Sequence, residues 1–140
     1  MRTARKRTPD AEITRRTVVV DDWSASISAF PRHRNQIEPL VSMQFVGSLS
    51  APIAGNSKAQ VLVLPTKSAD TREPLFSVGA LIQLKPAPVF VLSLSAADFD
   101  RVLVLAASGH ARYIDITMGK PRWGKAQLVG YNVQSKPDED

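Results

Sequence analysis

The sequence predicts a mainly β fold of the α+β class, an antiparallel β-sandwich or curled sheet of about seven strands with one helix, about 96–108, packed on it. Three observations carry that reading. Val41, Met43, Phe45 and Leu49 alternate with Ser42, Gln44 and Ser48, the period of a strand with one wet face. Phe76, Val78, Ala80, Ile82 and Leu84 repeat the pattern and are expected to share one side of a second strand. Proline and glycine clusters cut the apolar runs into lengths typical of strands.

Each element can be placed in turn. Residues 1–16 are almost devoid of apolar side chains and contain Pro9, so they are expected to form a flexible basic arm. Thr17–Ala29 alternates Val19, Trp23, Ala25, Ile27 and Ala29 with serines, and residues 30–35, Phe-Pro-Arg-His-Arg-Asn, look like the connection that ends it. A strand over about 40–49 leads to a loop around Pro52, Gly55 and Asn56. Residues 59–64 are almost continuously apolar, as in a strand buried on both faces, and Pro65 closes them. Residues 66–74 are polar and charged, a surface loop. The strand beyond, 76–84, joins 89–94 through Lys85-Pro86-Ala87-Pro88, a link short enough for an antiparallel pair.

One helix follows. Ser95 and Asp98 make the S-x-x-D capping pattern, while Phe99, Val102, Leu103 and Ala106 form an i, i+3, i+4, i+7 stripe that Val104 and Leu105 are expected to widen. Gly109 supplies the left-handed stop. Two more strands, about 111–118 and 126–134, flank a turn at 119–124, and the acidic residues 137–140 are expected to fray. Residues 17–136 thus read as one β-rich domain, a size that can bury roughly two thirds of its unfolded surface.

Composition bounds the chemistry. At 44% hydrophobic and 22% charged the chain resembles ordinary globular domains, and the absence of cysteine removes thiol nucleophiles, disulfides and thiolate metal sites. Of the net charge of +5, residues 1–16 contribute +4, since Arg2, Arg5, Lys6, Arg7, Arg15 and Arg16 face only Asp10 and Glu12. The apolar stretch Val18-Val19-Val20 is far too short for a signal core, and no run of about 18 apolar residues suggests a membrane span. A cytoplasmic location with no membrane partner is the expectation.

Local chemistry is sparse. His33 and His110 lack neighbouring ligand or base partners. Asp21 and Asp22 point to opposite faces of a strand, and Asp98 and Asp100 lie about 200° apart around a helix. No nucleophile elbow or phosphate-binding loop is present. No catalytic residue, metal ligand or cofactor is assigned.

Two basic features remain. The arm can track phosphates without reading sequence. In the loop Lys120, Arg122, Trp123 and Lys125 interleave an indole with three cations, the recipe for stacking on single-stranded nucleic acid. A turn tryptophan more commonly folds back onto the sheet edge beneath lysine and arginine stems. The leading expectation is a non-catalytic interaction domain whose partner is a protein, either another chain or a second copy met through a strand edge. A nucleic-acid-associated protein using the arm and the 119–125 loop is the alternative, and an enzyme with a dispersed active site is a distant third.

Overall fold

The computed structural model describes residues 13–33, 36–66 and 78–137. Among the described residues, seven strands and one helix occur in the order β1 (Thr14–His33), β2 (Gln36–Ile53), β3 (Asn56–Pro65), β4 (Gly79–Gln83), β5 (Val89–Leu94), α1 (Ala96–Ala107), β6 (Tyr113–Met118) and β7 (Ala126–Gln134). The sheet curls until it closes, giving a barrel with strand order β1-β2-β3-β5-β4-β7-β6. Antiparallel pairing dominates, including the expected β4–β5 pair, and β3 runs parallel to β5.

The alternation read from the sequence produces the barrel wall. Met43, Phe45 and Leu49 point inward from β2, and Val61 and Val63 from β3; Leu81, Phe90, Leu92, Ile114, Ile116, Met118 and Leu128 complete a filled interior. Burial of each such side chain contributes about 1.5–3 kcal/mol against chain entropy. Helix α1 adds Phe99, Val102 and Ala106 to the same core, resting on β3 and β5. The Ser95 hydroxyl accepts the Asp98 amide at 3.1 Å, and Gly109 has φ +81, so both ends of α1 follow the sequence.

Several expectations are corrected. In β4, Leu81 is fully buried and Ile82 is 43% exposed, the reverse of the predicted face, because Gly79 and Leu81 stand opposite the inward-facing Leu92 and Phe90 of β5, which puts Ala80 and Ile82 on the outer side. Phe76 lies outside the described residues. In β3, only Ala59, Val61 and Val63 are buried, since the outer wall of a barrel leaves Leu64 exposed. Val104 projects from α1 at 65% exposure and does not widen its apolar face.

Strand β1 is longer than expected at both ends. It begins at Thr14, so Arg15 and Arg16 belong to the barrel rather than to an arm, and it continues through Phe30 and Pro31 to His33, held by Glu38, Ile37 and Gln36 of β2. The chain 1–12 and the acidic 138–140 lie outside the described residues.

The consequence is a projecting β-arm. β1 pairs with β6 only from Thr14 to Val19, whereas its pairing with β2 extends from Val18 to His33. At the root of the arm β1 bulges between Val20 and Asp22, opposite Gly47. A Cβ on Gly47 would lie 2.1 Å from the Val19 carbonyl oxygen, so only glycine admits this approach. Trp23 stacks on Phe45, centroids 6.3 Å apart, and Val41 packs beside the core. The apolar face then runs on into solvent, where Ile27 is 73% exposed.

Candidate nucleic-acid interface

The loop between β6 and β7 is built as a tight turn. The Gly119 amide donates to the Gln127 carbonyl at 3.0 Å, and beyond it Arg122 and Lys125 exchange backbone hydrogen bonds of 2.7 and 2.9 Å. Two residues close the turn, Trp123 at φ +57 and Gly124 at φ +76. Positive φ at both positions is type I′ geometry, whose twist matches that of the flanking strands. Glycine adopts it freely; a bulky side chain does so at a cost of about 1–3 kcal/mol.

This backbone aims the indole away from the barrel. Trp123 is 97% exposed, which overturns the expectation that it folds onto the sheet edge. Lys120, Arg122 and Lys125 are exposed around it, and among the described residues neither Arg122 nor Lys125 forms an ion pair. These three cations, with residues 79–82 of β4 and Ala126 and Gln127 of β7, line an open groove of about 610 Å³. With Leu81 turned inward, Ile82 of β4 faces outward, so an apolar surface lies among the cations.

The topology brings the root of the amino-terminal segment to the same end of the barrel. β1 is antiparallel to β6, and Thr14 pairs with Met118, the last residue before the loop. Arg2, Arg5, Lys6 and Arg7 lie outside the described residues, but their chain joins the barrel beside Gly119. Arg7 is seven residues from Thr14, a tether of at most about 25 Å.

Arg15 and Arg16 serve the barrel. The Arg15 guanidinium lies 3.9 Å from an Asp115 carboxylate oxygen, and Arg16 donates through Nη1 to the Arg15 carbonyl at 2.8 Å. Among the described residues, Asp115 is the buried charged one, and local motifs did not single it out. Its carboxylate accepts from the Thr17 hydroxyl and, at 3.1 Å, from the Gln134 amide, tying β1, β6 and β7 together. Its position between inward-facing Ile114 and Ile116 put it on the outer wall, and the only local hint was a carboxylate inside an apolar strand.

Among the described residues, the remaining titratable side chains do not assemble. His33 ends β1, while His110 follows α1 and is exposed. Asp21 sits 3.6 Å from Lys58, and Asp98 pairs with Arg101 at 3.0 Å within α1. Among the described residues, no three histidine or carboxylate side chains gather where they could hold a metal ion, and no helix is long and apolar enough to cross a membrane. Comparison with protein-family models, curated proteins and solved structures returns no match.

Proposed function

We propose that this chain is a non-catalytic binding module and that the 119–125 hairpin, together with the amino-terminal basic segment, takes single-stranded nucleic acid. The observation that carries the proposal is Trp123, held in solvent by a positive-φ turn amid Lys120, Arg122 and Lys125. Base stacking on an aromatic face tolerates any sequence, and the cations neutralise the backbone that flanks the stacked base. The pairing of Thr14 with Met118 supports the same reading, because it roots the second basic feature beside the first.

The test is titration of a single-stranded oligonucleotide at several salt concentrations, with indole fluorescence and anisotropy as readouts. Three loop cations alone give a log–log salt slope of about −2, and engagement of Arg2, Arg5, Lys6 and Arg7 steepens it to about −5. Trp123→Ala is expected to weaken binding by about 1–3 kcal/mol. An unchanged affinity in that variant, or binding to anionic vesicles with none to oligonucleotides at low salt, overturns the proposal.

A further inference from the structure

We infer that the groove beside the 119–125 hairpin is a second nucleotide subsite, in which Ile82 and Gln127 hold the base next to the one stacked on Trp123. The inference rests on the nucleic-acid reading above and makes the bound unit two adjacent nucleotides. Trp123 stands at the tip of the turn, while the groove lies on the outer wall of β4 and β7, with Arg122 and Lys125 at its rim. At about 610 Å³ it falls within the range of about 300–1,000 Å³ that sites for small organic molecules occupy.

Strand register places these groups on one face. Ala80 pairs with Gln127 and Leu81 with Ala126, so Leu81 turns into the core while Ala80, Ile82 and Gln127 share the outer side. Arg122 pairs with Lys125 across the turn, which puts their side chains on a common face as well. From Lys125 to Gln127 is two residues, about 7 Å of extended chain and the scale of one nucleotide step. A strand with one base on the indole therefore carries its next phosphate past Lys125 and its next base into the groove.

The chemistry of the lining fits a base rather than a bare anion. Ile82, 43% exposed, offers an apolar platform for the face of an aromatic ring, a surface that a phosphate or carboxylate alone would leave unused. Gln127 is exposed at its side, and among the described residues no hydrogen bond engages its carboxamide. That group presents an acceptor and two donors. Each of the four bases carries a donor and an acceptor side by side on its pairing edge, so one glutamine can engage any of them. The subsite thus extends the sequence tolerance of stacking on Trp123 to a second position.

The experiment is an anisotropy titration of the full chain with two single strands of equal length and charge, abasic except for either one base or two adjacent bases. The second base is expected to tighten binding to the wild type by about fivefold or more. In the double variant I82S/Q127A that advantage is expected to shrink to about twofold, the statistical gain from offering either base to Trp123. Methyl NMR of the wild type locates the contact independently, with the Ile82 signal expected to shift for the two-base strand. An advantage of about twofold or less in the wild type, an unshifted Ile82 methyl signal, or an advantage that the double variant keeps in full overturns the inference. Trp123→Ala separates the two readings. If both strands bind that variant as they bind the wild type, the stacking reading fails and this inference fails with it; binding that depends on Trp123 but gains nothing from the second base overturns this inference alone.

Discussion

Trp123 is held in a conformation that a smaller residue would occupy at less cost. Asparagine tolerates positive φ, and Asn-Gly is the preferred pair for this turn. Trp123→Asn is therefore expected to stabilise the protein by about 1 kcal/mol, a rise of a few degrees in thermal midpoint, while weakening oligonucleotide binding. A thermal melt and one titration check both halves. A lowered midpoint would show that the indole supports the fold. Tyr131 makes a second residue-scale prediction. Burial raises its hydroxyl pKa above the ordinary value of 10, Asp98 raises it further, and Arg101 opposes the shift. The unfolded chain loses this proton first as pH rises, so stability is intact below pH 10 and declines between that value and the higher folded pKa. Tyr131→Phe is expected to flatten this alkaline decline, as measured by denaturant midpoints at pH 9 and above.

At the scale of elements, α1 was the most legible part of the chain, because its signals are local: the Ser95 cap, the Phe99, Val102 and Ala106 stripe, and Gly109. Phe99→Ala is expected to cost about 3–5 kcal/mol, while Arg101→Ala, which removes an exposed pair with Asp98, is expected to cost less than about 0.5 kcal/mol. Denaturation midpoints for the two variants decide it. The strands were legible as alternations, but their faces and lengths depend on distant partners. Pairing with the inward-facing Leu92 and Phe90 of β5 set the face of β4, and pairing with β2 carried β1 through Pro31, where local rules read a connection. Gly47 is a case in point. Nothing in its neighbourhood distinguishes it from a glycine tolerated in a strand, yet its lack of a side chain admits the Val19 backbone. Gly47→Ala is expected to destabilise by about 1–3 kcal/mol through overpacking, read from the same midpoints.

For the whole molecule, closure of the barrel rests on the seam between β1 and β6, and Asp115 is its polar anchor. Asp115→Ala leaves Thr17 and Gln134 without their acceptor and is expected to cost about 1–3 kcal/mol, measured by chemical denaturation. The cations and the indole of the candidate interface could be named from the sequence alone. That the root of the amino-terminal segment lies beside the 119–125 loop could not, since it follows from Thr14 pairing with Met118, far along the chain. That same separation governs how the protein is made. The β1–β2 hairpin can form as soon as both strands leave the ribosome, but β1 must wait for about a hundred further residues before β6 exists. At about 5–20 residues per second the wait lasts roughly 5–20 s. During synthesis β1 thus stands beside β2 long before its second neighbour exists, and the nascent chain carries an open seam until β6 emerges.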